Sequence, residues 1–165
     1  MKTVPENFQR PKLDWPDKFA LFVATGFGAG YVPVAPGTAG TVVAIPLFLA
    51  LSRLEPWLQV LTSAAFIGLA IHAANRAGLY FGASDDQHIV SDEIAGYFVT
   101  MLLVPVSLKT VLVGFVLFRL LDQFKPWPAS YFDKKVHNGF GNVMDDVAAA
   151  VWGRWLMAAL VYWWP

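Results

Sequence analysis

Five apolar runs alternate with polar stretches along the 165-residue chain. Residues 42–51 and 57–71 make one pair, separated by Ser-Arg-Leu-Glu-Pro, where Pro56 ends the first run. A second pair, 94–106 and 110–121, is divided by Ser107-Leu108-Lys109, and 147–164 closes the chain. Apolar runs joined in pairs by short turns predict helical hairpins. The expected fold is therefore all-α: about five helices, two helical hairpins plus a C-terminal helix. Ahead of them, residues 1–18 form a polar lead with three prolines and no long apolar region, unlike a signal or transit peptide. Residues 19–41, rich in Gly, Pro and Thr, are expected to be a loop that opens into a helix near Thr38. No repeat or low-complexity tract interrupts this organisation, and one domain over 1–165 is expected.

Two hairpins that leave from and return to one face bring the polar stretches 19–41, 72–93 and 122–146 together there. Nine of the twelve Lys and Arg fall in or beside that face: Lys2, Arg10, Lys12, Lys18, Arg76, Arg119, Lys125, Lys134 and Lys135. Arg53 and Lys109 lie in the opposite turns, and Arg154 is inside the last run. By the positive-inside rule the convergent face is cytoplasmic.

Composition strengthens the membrane reading. The chain is 56% hydrophobic and 15% charged, has seven tryptophans, and its mean hydropathy is +0.49. Soluble domains carry roughly a quarter charged residues. The first four runs are shorter than the roughly 20 residues that cross a bilayer unaided, and only 147–164 is close to a full span. A multi-pass membrane bundle is the expectation, and a soluble helical bundle is its rival. The terminal Tyr-Trp-Trp-Pro suits an interfacial aromatic belt, with plain surface filler as the alternative. Zero net charge gives no reason to expect a nucleic-acid partner. The absence of cysteine excludes disulfides, thiolate nucleophiles and Cys-based zinc sites.

The acids concentrate on the convergent face. Asp85 and Asp86 precede Asp92 and Glu93, Asp122 closes the fourth helix, and Asp145 with Asp146 open the fifth. Each has a plain alternative: a turn, a helix start, an i,i+3 pair with Arg119, or a cap that complements the helix dipole. Three acidic elements meeting beside apolar helices are costly unless cations intervene, and hard oxygen donors suit Mg²⁺. The "APGTAGT" stretch at a helix start offers backbone N–H groups and hydroxyls to an anion such as phosphate. A Pro-Gly turn with a Thr N-cap explains the same letters. Arg119 and Lys125 add positive charge for phosphate oxygens, or snorkel at a membrane boundary. In "FRLLDQFKPWP" the proline after Lys125 biases that residue out of α geometry. Lys125 is then free to leave the helical stripe of Asp122.

The stretches "ATGFGAGYVPVAPGTAGTVVAIP", "DDQHIVSDEIAGYF" and "FRLLDQFKPWPASYFDKKVHNGFGNVMDD" together resemble the phosphatidylglycerophosphatase A family. The resemblance runs from about Phe19 to the last helix. It implies a Mg²⁺-dependent phosphatase of the bacterial inner membrane, acting on phosphatidylglycerol phosphate. It also implies site residues: Asp85, Asp92 and Glu93; Arg119, Asp122 and Lys125; Asp145 and Asp146; and a phosphate-loop-like set of Thr25, Gly26, Pro36, Gly37, Thr38 and Gly40. Asn138 and Ala150 stand where the family pattern has glycine, and Asp86 has no counterpart in it.

On that resemblance, the expected reaction is metal-assisted phosphomonoester hydrolysis. Asp85, Asp92, Glu93, Asp122, Asp145 and Asp146 are the candidate metal ligands. All of these except Asp85 are also catalytic candidates. Thr25, Gly37, Thr38, Arg119 and Lys125 are the candidate phosphate contacts. An aspartyl-phosphate route lacks its DxDx[TV] signature, and a CDP-alcohol phosphotransferase lacks its own acidic pattern. A small transporter using carboxylates as an ion relay is the alternative from another class. Against it, these acids sit at helix ends on one face.

Overall fold

The computed structural model describes residue 8 and residues 10–163. Lys2, most of the polar lead before Arg10, and the terminal Trp164 and Pro165 lie outside the described residues. Among those described there are seven α-helices, one 3₁₀ turn and no strands. The helices are α1 (Trp15–Ala24), α2 (Pro36–Leu51), α3 (Pro56–Phe81), α4 (Ser91–Thr100), α5 (Leu108–Phe124), α6 (Ala129–Lys135) and α7 (Gly139–Trp163). The 3₁₀ turn is Ala29–Tyr31. The five expected helices are α2, α3, α4, α5 and α7, and the count of five is corrected by α1 and α6.

The helix α4 is the axis of the molecule. It packs against α2, α3, α5 and α7, and eight of its ten residues are buried. Such close wrapping needs small residues. A Cβ on Gly96 would meet the Phe118 ring and lie 3.3 Å from the Asp146 carbonyl. The expected run to 106 stops at Thr100, because Leu103 turns left-handed (φ 57) ahead of Pro105. Next, Ser107 and Thr110 form a reciprocal capping box that restarts the chain as α5.

The longest helix is α3, with 26 residues. The polar-looking "HAANRAGLY" does not end it, because Ala70, Ala73, Ala74 and Ala77 supply a small, buried face there. Gly82 ends it in the left-handed conformation (φ 80). This corrects the expectation that only 147–164 approaches a full span: Pro56–Phe81 is the one described helix long and apolar enough to cross a membrane.

At its start, α7 is capped by Asn138, whose side chain accepts from Gly141 N–H at 2.9 Å and whose carbonyl accepts from Asn142 N–H at 3.0 Å. Asn138, a departure from the family pattern, thus has a local role. Ala150, the other departure, is fully buried in a core cluster of α2, α4, α5 and α7.

Candidate active site

One end of the bundle gathers the starts of α2, α4 and α7 and the ends of α3 and α5. There, a cleft of about 350 Å³ is lined by residues from all three convergent stretches. It includes Gly37, Thr38, Asp85, Asp86, Asp92, Glu93, Arg119, Asp122, Lys125, Asp145 and Asp146. Of the expected site residues, all but Thr25, Gly26 and Gly40 line it.

Thr25 is buried at the end of α1, where its hydroxyl donates to the Phe22 carbonyl at 3.3 Å. Its neighbours brace the chain that leads into α4. Val90 N–H donates to the Ala24 carbonyl at 2.8 Å, and a Cβ on Gly26 would come within 2.7 Å of Val90 Cγ2. His88 holds the preceding loop: its backbone N–H donates to Asp86 Oδ1 at 3.0 Å, its Nδ1 lies 2.5 Å from the same oxygen, and its ring stacks on Phe81.

The phosphate-loop-like stretch enters the cleft at α2. Here the helix begins at Pro36, two residues ahead of Thr38, and Thr38 does not cap it. Pro36 occupies the first turn, where its missing N–H costs nothing. Helix geometry leaves the N–H groups of Gly37 and Thr38 without intrahelical acceptors. At Gly37 a Cβ would run into Glu93 Oε1 and sit 3.2 Å from Arg119 Nη2, so any side chain there has to displace the Glu93 carboxylate.

Asp92 and Glu93 stand in the first turn of α4, and Asp146 faces them from α7. One carboxylate oxygen from each of the three lies within 4.8 Å of the others. Asp92 Oδ1 and Glu93 Oε2 are buried without a hydrogen-bond partner. Around them, Arg119 Nη1 lies 2.9 Å from Asp122 Oδ2 and 3.6 Å from Glu93 Oε1. Lys125 leaves α5 in the left-handed conformation (φ 43). Its ammonium pairs with Asp133 at 3.0 Å and with Asp145.

Seven carboxylates against two cations line this cleft, and all but Arg119 lie outside the long apolar runs. The imbalance shows in proton affinity. Asp92 is pushed well above the ordinary carboxylate range, first by burial and then by Glu93 beside it. Asp146 is pushed up likewise, by burial and then by Asp122, Asp92 and Glu93. Burial also lifts Asp145, to about 6, although Lys125 pulls the other way. For Lys125, burial disfavours the charge, but Asp145 more than compensates and its pKa is raised. Carboxylate crowding of this kind is relieved by a cation. The buried, unpartnered oxygens are the atoms that would ligate it, so the donor set is compatible with a metal ion.

Residue-type reasoning missed Asn142, which donates to Asp92 Oδ2 at 2.7 Å, and Asp133, which holds Lys125; Asp86, read as one of the acids of this face but without a counterpart in the family pattern, lines the cleft as well. Asn142 was detectable in principle, because it precedes Asp145 and Asp146 at the i, i+3, i+4 spacing of one helix face.

The sequence that builds this bundle and cleft matches a known family. The family model described as phosphatidylglycerophosphatase A covers residues 22–161, and the chain belongs to that family. It is 36% identical over 146 residues to phosphatidylglycerophosphatase A of Escherichia coli K12, covering 87% of this chain and 84% of the relative. The same identity over 146 residues relates it to phosphatidylglycerophosphatase A of Haemophilus influenzae, over 86% of this chain and 88% of the relative. A Bacteroides thetaiotaomicron protein, provisionally named a phosphatidylinositol-3-phosphatase, is 36% identical over 154 residues, covering 87% of this chain and 94% of its own. No solved structure matches. The transporter alternative finds no support among these relatives.

Proposed function

We propose that the chain is a phosphatidylglycerophosphatase that hydrolyses phosphatidylglycerol phosphate to phosphatidylglycerol and inorganic phosphate, with Mg²⁺ as its cofactor. The observation that carries this reading is the Asp92, Glu93 and Asp146 group, with two buried unpartnered oxygens, in a chain of this family. Asp92, Glu93 and Asp146 would hold the ion, with Asp85, Asp122 and Asp145 as further donors around the cleft. Oxygen-only donors favour Mg²⁺ over softer metals. When bound, such an ion supplies Lewis-acid polarisation of phosphate and water oxygens and offsets negative charge.

The chain's own groups do the rest. Arg119 and Lys125 supply charge to the non-bridging phosphate oxygens, and the Gly37 and Thr38 N–H groups add hydrogen bonds at a positive helix end. Lys125 exchanges a carboxylate partner for the phosphate when substrate enters. Water attacks phosphorus as the bond to the glycerol oxygen breaks. Asp145, which the cleft brings beside Lys125, takes the proton from the attacking water. The departing glycerol oxygen takes a proton from solvent, and Asp145 returns its own to solvent, which closes the proton balance.

The helices are placed in the bacterial inner membrane as a multi-pass bundle, with the cleft on the cytoplasmic side. Supporting this, the six described tryptophans are all exposed, with Trp15 and Trp127 toward the cleft end and Trp57 and Trp163 at the other. The described basic residues outside the helical middle also favour the cleft end, as the sequence pattern anticipates.

The test is phosphate release by the purified protein in mixed micelles. Phosphatidylglycerol phosphate should be turned over with Mg²⁺, not with excess EDTA, and faster than phosphatidylinositol 3-phosphate. A preference for the inositol lipid overturns the substrate assignment, and activity indifferent to EDTA overturns the metal.

A further inference from the structure

The two oxygens of Asp92 have different fates. Oδ2 accepts from Asn142 Nδ2 at 2.7 Å, whereas Oδ1 is buried with no hydrogen-bond partner. Asp92 itself is more than nine-tenths buried. Its carboxylate belongs to the group with Glu93 and Asp146. Asn142 reaches it from α7, one turn ahead of Asp145 and Asp146 on the same helix face.

The backbone fixes that aim. Gly139 N–H donates to Asn75 Oδ1 on α3 at 2.8 Å, and Gly141 N–H donates to Asn138 Oδ1. Gly141 lies so close to the Val136 carbonyl that no Cβ would fit. With the first turn of α7 tied on three sides, the amide of Asn142 has little freedom to point elsewhere.

We infer that Asn142 is a positioning residue for the cation site: its amide holds one Asp92 oxygen and so presents the other, singly, to the ion. The inference rests on the metal-dependent reading above. An amide suits the task because it donates without charge. A lysine or arginine there would compete with the ion, and a carboxylate would repel Asp92. Without the amide, Asp92 is free to rotate or protonate, and the orientation of its free oxygen is lost. Hydrogen bonds behind metal ligands commonly change affinity 10- to 100-fold when removed.

The test uses the full chain in detergent with Mn²⁺ as a paramagnetic stand-in, free ion being counted by electron paramagnetic resonance. Melting in EDTA is followed in parallel. Asn142→Leu keeps the side-chain shape without the donor, and Asn142→Ala removes it without adding bulk in case the first variant does not fold. Both should bind Mn²⁺ about tenfold or more weakly than the parent protein, in a chain that still unfolds cooperatively. A folded variant that binds Mn²⁺ as tightly as the parent, or more tightly, overturns the inference and leaves the metal reading standing. A lower melting temperature with unchanged affinity marks a purely structural role and overturns it too. A parent protein that binds no Mn²⁺ overturns the metal reading, and this inference with it.

Discussion

Lys125 leaves the helical stripe of Asp122, as the proline after it implies. Pro126 follows it, and the residue leaves α5 in the left-handed region, so its ammonium diverges from the Arg119–Asp122 pair one turn back. That divergence was legible in the letters. Its partner Asp133 was not, because α6 lies in a polar stretch where no apolar period marks a helix. Thr25 marks a different limit: a glycine-flanked threonine reads the same whether it binds phosphate or braces a loop. Gly37 separates these cases, and Gly37→Ala should lower turnover about 100-fold by displacing Glu93, given the steep dependence of catalysis on placement. Steady-state phosphate release with circular dichroism on the same sample checks it. Proton affinity gives a second prediction. A carboxyl whose pKa rises on folding favours the folded state at low pH, and that advantage is lost as pH climbs from its unfolded value through its folded one. For Asp145 the window runs from about 4 to about 6, and Asp92 and Asp146, pushed further up, extend it. In EDTA the melting temperature should therefore fall from pH 5 to pH 8. Mg²⁺ should raise it more at pH 8, as parallel thermal melts would show.

Elements were legible where hydrophobicity was dense. Five apolar runs became five helices, and hairpin logic brought the right polar stretches to one end. The helix α3 outran its apolar run because alanines can face a core without registering as a hydrophobic period. On α1, the start signals are present in Asp14, which accepts from Asp17 N–H at 2.9 Å, and in the proline in the first turn, but prolines there also read as a loop. The central position of α4 was not legible, since its buried residues are polar (Ser91, Asp92, Thr100) as well as apolar (Ile94, Tyr97, Phe98). Its packing makes a sharp prediction. Gly96→Ala drives a methyl into the Phe118 ring and toward α7 and should cost about 1–3 kcal/mol, read from denaturant or thermal unfolding. A change within a few tenths of a kcal/mol would contradict the close approach of α4, α5 and α7.

For the whole molecule, the open issue in the sequence was bilayer against water, and apolar runs of 10–15 residues did not decide it. The 26-residue α3, which leaves Leu61 57% and Leu69 36% exposed, is long and apolar enough to cross a membrane. Leu69 lies near the middle of that helix, so Leu69→Lys should cost about 2.5–3.5 kcal/mol of membrane insertion and sharply reduce the carbonate-resistant membrane fraction. A soluble bundle would tolerate the same surface charge nearly unchanged. On the proposed membrane placement, a lipid phosphate at the membrane surface would meet the end of the bundle where carboxylates and cations are gathered. The most direct measurement is phosphate release from phosphatidylglycerol phosphate by Asp92→Asn beside the parent protein, both purified and shown to be folded. The account predicts release by the parent in Mg²⁺ and a loss of at least about 100-fold in the variant; near-parental turnover by folded Asp92→Asn would contradict it.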